Sequence, residues 1–326
     1  MGEILYKVQV GSYANIANAT KQLKNVKNAG FNGAIVPYGK LYRVQCGAFK
    51  SKNNAKRTLA KVKKIFPNAT VIEEISATPD SGYKVMLTTK AKEQDAISNM
   101  ILVIEPEDYT IDEIKKLKKH GATLLGYLSV GSVSDERPYY NTLKPFRLSR
   151  LEDWHHEWYL DLREEKVRKW CVSRAKEIKA MGFDGWWLDN LDVYEYHNSP
   201  EMYEAITNVL KSIKDVDGYI MVNGGSEYIS KLMDSDTNHK SITFIDGVTQ
   251  EEVISLIKSY SGEGEFGKQE PEMNKWYESY MKRLLRHDMY AFLLEYTRDK
   301  SVKKKIIDFC TKNKMTGYYI SGDVDL

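Results

Sequence analysis

Cysteine is scarce in this chain: three in 326 residues, Cys46, Cys171 and Cys310, in unrelated contexts. Their number and spacing exclude a disulfide framework and give no metal-ligand pattern, so all three read as buried thiols. Histidine is nearly as sparse, at six, and no H-E-x-x-H occurs. His155 and His156 are adjacent, not one helical turn apart, so neither a metal site nor a cofactor is expected. Long apolar stretches are missing too. The longest, residues 100–104, is five residues, against the roughly 20 a membrane-crossing helix needs. Met1 to Lys7 runs into a strand-like alternation in place of a leader. A chain with no signal peptide and no membrane span is expected, made in the cytoplasm and reaching any target outside the cell by phage-type release or another non-classical route.

What is present reads as globular: 42% hydrophobic and 29% charged residues, with length for one large domain and a small one. The net charge of +3 hides a split. Residues 1–76 carry 13 Lys and Arg against Glu3, Glu73 and Glu74, a net of +10, leaving 35 against 42 and a net of −7 in the remainder. A small basic module joined to a larger acidic one is the pattern of a binder attached to something else.

The basic part is an internal repeat. Tyr6-Lys-Val-Gln-Val-Gly-Ser-Tyr13 returns 36 residues later as Tyr42-Arg-Val-Gln-Cys-Gly-Ala-Phe49, followed each time by a helical pattern and a second strand, at 33–37 and 69–73. With a turn at Tyr38-Gly-Lys40 this predicts βαββαβ, an antiparallel sheet with two helices on one face. Tyr6, Val8, Val10, Tyr42, Val44 and Cys46 share the parity that meets the helices. Lys7, Gln9, Arg43 and Gln45 fall on the open face. An RNA-recognition module shares this layout but stacks bases on exposed strand aromatics. Here the aromatics have core parity and the exposed positions are amides and cations, so a polar polymer is expected and a nucleic acid is not. The doubled Y-[KR]-V-Q-x-G-[SA]-[YF] motif resembles the SPOR domain, over residues 1–75. That resemblance implies binding of peptidoglycan glycan strands through Gln9 and Gln45, with Lys7, Ser12, Tyr13 and Arg43 as further contacts.

Residues 76–82 have the composition of a linker. Beyond them, strand-like segments at 83–88, 100–105, 123–130, 184–189, 219–223, 243–248, 289–295 and 317–321 alternate with helical patterns. Eight such units over residues 83–326 predict a (β/α)8 TIM barrel, an α/β fold preceded by the small α+β module. No G-x-G-x-x-G turn follows the first strand, which argues against a dinucleotide-binding open sheet. In a barrel the carboxyl ends of the strands converge on one mouth. They carry Glu105, Ser129, Asp189 with Asn190 and Asp192, Asn223, Glu251, Glu295 and Asp323. Carboxylates in pairs, without a Ser/His or Cys/His arrangement, point to glycoside hydrolysis. Asp184 reads as a strand-start residue, and residues 262–267 as a mobile loop covering the cleft.

Leu125-Gly-Tyr-Leu-Ser-Val-Gly131, Arg137-Pro-Tyr-Tyr140, Glu157-Trp-Tyr-Leu-Asp161, Gly182-Phe-Asp-Gly-Trp-Trp-Leu-Asp-Asn-Leu-Asp192, Val222-Asn-Gly224, Asp246-Gly-Val-Thr-Gln-Glu251 and Leu294-Glu-Tyr296 resemble, in this order, glycoside hydrolase family 114, the endo-α-1,4-polygalactosaminidases. The resemblance implies a barrel that cleaves α-1,4 linkages in a galactosamine-containing glycan. Asp189 of the L-D-N-x-D motif and Glu251, after the sixth strand, are its catalytic carboxylates. By analogy with retaining enzymes Asp189 is the nucleophile and Glu251 the acid/base. Glu252 takes the place of Glu251 if the strand register is shifted by one. Glu105, Tyr127, Ser129, Asn190, Asp192, Asn223, Glu295 and Tyr296 are the expected substrate contacts, with Trp187 and Tyr194 as further sugar platforms. The composite is a phage-lysin-like, wall-targeted glycosidase. The alternative is a non-catalytic carbohydrate-binding protein whose barrel has lost its chemistry.

Overall fold

The computed structural model describes residues 4–31, 33–38, 41–49, 52–75, 82–236, 242–261, 264–324 and 326. The chain forms two compact units, Met1–Asp80 and Ser81–Leu326. Among the described residues no helix is long and apolar enough to cross a membrane.

In the first unit β1 (Ile4–Tyr13), β2 (Ala34–Tyr38), β3 (Leu41–Phe49) and β4 (Thr70–Ile75) form an antiparallel sheet in the order β2-β3-β1-β4. The helices Ile16–Asn28 and Lys52–Val62 complete the βαββαβ order. Val8, Val10, Val44 and Cys46 are buried with Ala19, Val26 and Val62 of the helices, as the alternation predicts. The glycine of each repeat has a steric cause. A Cβ on Gly11 would lie 2.6 Å from the Tyr13 hydroxyl, and one on Gly47 2.8 Å from the Phe49 ring. The aromatic two residues on folds back over the glycine in both repeats. Tyr13 is therefore packed against the module's core. The expected turn at 39–40 and nearly all of the linker, 76–81, lie outside the described residues.

The second unit is the barrel. Its strands β5 (Tyr83–Met86), β6 (Ile101–Ile104), β7 (Thr123–Ser129), β11 (Gly185–Asp189), β12 (Tyr219–Asn223), β13 (Gly247–Glu251), β16 (Tyr290–Tyr296) and β17 (Gly317–Ser321) form one sheet, every neighbouring pair parallel. β17 lies beside β5, and Leu87 donates to the Leu326 carbonyl across that seam at 2.5 Å. Two further pieces are inserted: β8 (Ser132–Ser134), β9 (Arg147–Arg150) and β10 (Glu157–Leu160) form a small antiparallel sheet, and β14 (Ser255–Ser259) pairs with β15 (Glu265–Lys268) as a hairpin. The segment expected to be a loop at 262–267 is thus half strand. Residues 262–263 lie outside the described residues.

Alternation sorts the barrel's side chains into two cores. On β11, Trp186 points outward and donates its indole N–H to the Ala175 carbonyl of the helix Glu165–Met181, at 2.9 Å. That helix buries Val167, Cys171, Ala175 and Ile178, at spacings of three and four that make one face. The next residue, Trp187, points inward and donates to the Tyr83 hydroxyl at 2.8 Å and to Thr249 at 3.2 Å. The inner core is Tyr83, Val85, Val103, Leu125, Trp187, Met221, Phe292, Leu294 and Tyr296. The base of the barrel repeats one device. Asp184 accepts from Lys118 at 2.6 Å and from the Leu124 amide at 2.9 Å; Asp246 accepts from Lys214 and from the Ile220 amide, both at 2.7 Å. Each carboxylate fixes the start of its own strand against the strand before it.

The sixth strand differs from expectation, beginning at Gly247 instead of 243. Ile242, Phe244 and Ile245 are buried and so read as strand. They are the packed approach to the strand, which starts only after Asp246 has made its bonds. The strand consequently ends on Glu251 and does not precede it.

Candidate active site

Because inward positions alternate, the residue two beyond each inner-core side chain faces the mouth. Trp187 leads to Asp189, Thr249 to Glu251, Met221 to Asn223, Leu125 to Tyr127, and Leu294 to Tyr296. These five meet. The Asn223 amide nitrogen donates to Asp189 Oδ1 at 3.0 Å and to Glu251 Oε1 at 2.7 Å. Tyr127 donates to Asp189 Oδ2 at 3.1 Å, and Tyr296 to Glu251 Oε2 at 2.6 Å. Every oxygen of the two carboxylates has a donor, and one NH2 group serves both. Beneath them Tyr83, Thr249 and Trp187 form a bonded polar layer, with the Tyr83 and Thr249 hydroxyls 2.7 Å apart.

The two carboxyls are held differently. Burial pushes Glu251 up to about 7; the bonds from Tyr296 and Asn223 oppose this, and the charges of Asp189 and Glu252 add to it. Burial raises Asp189 as well, opposed by donors at Asn223, the Asn190 backbone and Tyr127. Both are raised by burial and opposed by donors, but only Glu251 has negative neighbours that add to the rise.

Other expected contacts line the mouth or its wall. Asn190 adopts a left-handed backbone, φ 65°, and donates to Ser129 at 3.0 Å. Ser129 also accepts from the Ser132 amide at 3.2 Å. The close approach of these loops explains Gly131, where a Cβ would lie 1.8 Å from the Asn190 carbonyl oxygen. Asp192 accepts from the Gly225 amide at 2.9 Å and so ties the loops after β11 and β12 together; burial pushes it up to about 6. Glu105 accepts from Arg137 at 2.7 Å and is pushed up to about 8, by burial first and then by Glu107.

Three expectations are corrected. Glu295 has the opposite parity to Tyr296 and does not face the mouth. It is fully buried and accepts from the Ile254 amide at 3.0 Å and from the Ser255 amide at 2.8 Å, holding the start of the β14 hairpin. Tyr194 is buried in the outer core against Tyr203 and Tyr228, and Trp187 is the floor of the mouth, so neither is a platform. The shifted register is also excluded: Glu252 turns out of the strand with φ 56° and accepts from the Ile257 amide.

Sequence reasoning missed two residues. Glu157 of β10 accepts from Ser132 and, at 3.5 Å, from Asn190. Burial raises it, and the Asp189 charge raises it further, so it is a third carboxylate beside the pair. Arg137 stands over the Tyr127 ring, 5.4 Å from its centroid, while pairing with Glu105. Both were inside recognised motifs, but only the small inserted sheet brings them in. Among the described residues no group of three or more His, Cys, Asp or Glu side chains is arranged to hold a metal ion.

In the first unit Gln9 and Gln45 are directly paired across β1 and β3. Gln9 donates to Ser12 at 3.1 Å, and among the described residues its side-chain oxygen and the Gln45 nitrogen are buried without a hydrogen bond; Gln45, expected on the open face, is only 5% exposed. Lys7 pairs with Ala48 and Ser12 with Arg43 in the same ladder.

Residues 67–321 match glycoside-hydrolase family GH114, and residues 2–73 match the SPOR domain. The chain is 24% identical over 257 residues to the uncharacterized protein MJ1477 of Methanocaldococcus jannaschii, covering 68% of this chain and 69% of that one. Among solved structures, the glycoside hydrolase domain of PelA from Pseudomonas aeruginosa aligns with a TM-score of 0.59 at 17% identity, over 73% of this chain and 92% of that one. Ega3 of Aspergillus fumigatus, solved in complex with galactosamine, aligns with a TM-score of 0.55 at 16% identity, over 75% and 92%. At these identities the structures establish the shared fold.

Proposed function

The chain belongs to glycoside-hydrolase family GH114, and from that premise we propose that this wall-directed glycoside hydrolase cleaves α-1,4-galactosaminide or related amino-sugar linkages by a retaining, two-carboxylate mechanism. The observation that carries the reading is the single Asn223 nitrogen bonded to both carboxylates, at 3.0 and 2.7 Å. The nearest oxygens of Asp189 and Glu251 cannot be farther apart than those two bonds laid end to end. A pair bridged by one nitrogen favours the roughly 5–5.5 Å separation of retaining enzymes over the roughly 6.5–9.5 Å with which an inverting enzyme seats a water.

The roles follow from the environments. Glu251, pushed up to about 7, carries the proton it gives to the glycosidic oxygen as the bond to the anomeric carbon breaks. Asp189, ionised and held by Tyr127 and Asn223, attacks that carbon and forms a glycosyl ester. Glu251, now a carboxylate, takes a proton from water; the water oxygen bonds to the anomeric carbon and the ester to Asp189 breaks. Both carboxyls return to their first state. An acid-rich mouth with Glu157 beside Asp189 complements a sugar bearing an ammonium group. The SPOR domain, residues 2–73, holds peptidoglycan glycan strands on the sheet face bearing Gln9 and Gln45. It thereby concentrates the hydrolase at the wall, as in a phage lysin. The division of labour is residues 1–75 for binding and 83–326 for cleavage.

The test is incubation of the full chain with α-1,4-galactosaminan, N-acetylated and not, and with purified cell walls, reading released oligosaccharides by mass spectrometry and the first-formed anomer by proton NMR. Wild type releases galactosamine oligosaccharides with the anomeric configuration kept, while Asp189→Asn and Glu251→Gln release none. Equal release by the variants refutes the pair, and initial inversion of the product refutes the retaining assignment.

A further inference from the structure

Two inserted hairpins flank the mouth, each anchored by a carboxylate and each presenting an exposed aromatic ring. The turn between β9 and β10 carries Trp154, and the Glu157 amide closes it by donating to the Trp154 carbonyl at 3.0 Å. Glu157 is the carboxylate beside Asp189. The end of β14 carries Tyr260, and β14 is held at its start by Glu295 and through Ile257 by Glu252. The rings meet edge to face, with centroids 5.6 Å apart and planes at 63°. Yet Trp154 is 50% and Tyr260 38% exposed. A clasp serving only to hold two loops together would bury these rings, since each large aromatic gains most of its stabilisation from area removed from water. The Tyr260 phenol senses Glu252, Glu251 and Asp153, in that order after burial, and Glu252 senses Asp153. Glu157, beside Asp189, and Glu252, next to Glu251 in the chain, hold the two segments that carry the rings, and the ring pair stands in a negative field.

We propose that Trp154 and Tyr260, with Asp153 beside them, form a further sugar subsite on the rim of the mouth, taking the amino-sugar unit of the polymer that adjoins the one held at Asp189 and Glu251. The chemical class rests on the galactosaminidase reading above. Aromatic faces receive the C–H face of a pyranose ring, and Asp153 with Glu252 receives its ammonium group, so a free amine is preferred to an acetamide. One hairpin is tied to Glu157, beside Asp189, and the other to Glu252 and Glu295 of the barrel, which gives the subsite a fixed distance from the cleavage point and makes the enzyme a reader of chain segments instead of single sugars.

The experiment titrates the full chain carrying Glu251→Gln, so that nothing is turned over, with α-1,4-linked galactosamine oligosaccharides, free and N-acetylated, and with galactosamine monomer. Into that background go Trp154→Ala, Tyr260→Ala, Trp154→Phe and Asp153→Asn. The expected result is a loss of about tenfold in affinity for the free-amine oligosaccharide with each alanine, about 1.4 kcal/mol. Phenylalanine at Trp154 recovers most of it, the monomer is unaffected, and Asp153→Asn narrows the preference for the free amine. Oligosaccharide affinity unchanged by Trp154→Ala, or monomer and oligosaccharide weakened alike, overturns the subsite. Wild-type hydrolysis of the same oligosaccharides is read in parallel. Binding that depends on Trp154 without hydrolysis defeats the catalytic reading alone; hydrolysis indifferent to Trp154 defeats the subsite alone.

Discussion

Replacing Tyr296 by Phe tests the assignment of roles within the carboxylate pair. The Tyr296 hydroxyl donates to Glu251 Oε2 at 2.6 Å, and this bond, with that from Asn223, holds Glu251 toward its charged form against burial. A hydrogen bond to a charged group contributes about 1.5–3 kcal/mol, and about 1.4 kcal/mol corresponds to one pKa unit. Because the Asn223 bond to Glu251 remains, the lower end is taken, and the loss raises Glu251 by about one unit from about 7. In the proposed mechanism the active form has Asp189 ionised and Glu251 protonated, so kcat/KM rises through the first titration and falls through the second. The two groups interact, so the limbs belong to the pair, but the direction of each change is fixed. Tyr296→Phe moves the falling limb up by about one unit and leaves the rising limb in place. The variant therefore works at higher pH than wild type although it has lost a bond to a catalytic group. Tyr127→Phe is the mirror case: its longer bond, 3.1 Å to Asp189, yields a smaller upward shift confined to the rising limb, about half a unit. The assay is kcat/KM against pH on a soluble oligosaccharide. If Tyr296→Phe moves the rising limb and Tyr127→Phe the falling one, nucleophile and acid are exchanged. If neither limb moves, the two tyrosines do not set the titrations and the reasoning fails.

Glu295 gives a stability prediction with the same logic. Burial pushes it up to about 8 from an ordinary 4.5, so the folded state keeps a proton that the unfolded chain releases. Its contribution is whole below about 4.5 and is lost as pH rises through about 8. Melting temperatures measured from about pH 5 to about pH 8 should therefore shift progressively in favour of Glu295→Gln over wild type, and an offset independent of pH refutes this. In the first unit, Gln9→Ala with Gln45→Ala should reduce co-sedimentation with purified cell walls while hydrolysis of a soluble oligosaccharide stays unchanged; undiminished sedimentation removes the sheet face as the binding surface.

The parts of this molecule legible in the sequence are those where alternation is uninterrupted. Val8, Val10, Val44 and Cys46 turn to the core as their spacing predicts, because two faces with different surroundings leave a strand only one stable register. Asp189 was legible from its place at the end of an apolar strand and from the L-D-N-x-D motif, while the inward turn of Trp187 beneath it was not. Glu295 was misread because a parallel strand covered on both faces is apolar on both. In Leu293-Leu-Glu-Tyr296 nothing local says which of the last two side chains faces the mouth. The structure decides it through distant partners, the Ile254 and Ser255 amides on one side and Glu251 on the other. The sixth strand moved for a related reason, since Ile242, Phe244 and Ile245 are as buried as a strand but lack a neighbour to pair with until Gly247.

What alternation cannot encode is an insertion whose partners lie elsewhere in the chain. β8, β9 and β10 are three or four residues each, too short to carry a period, and β14 and β15 lie between two barrel units where a loop is the ordinary expectation. Yet these pieces supply Glu157 next to Asp189, the anchorage of Glu252, and the Trp154–Tyr260 pair. The barrel's repeated strands place the reacting carboxylates, and they must do so wherever the same reaction is run. Recognition of a particular polymer has no such geometric constraint and can sit on any segment long enough to overhang the mouth. It follows that the chemistry of this chain was readable from its regular part and its selectivity was not. On the proposed subsite, the surfaces that decide which glycan is cut belong to the two insertions, held to the barrel by Glu157 on one side and by Glu252 and Glu295 on the other.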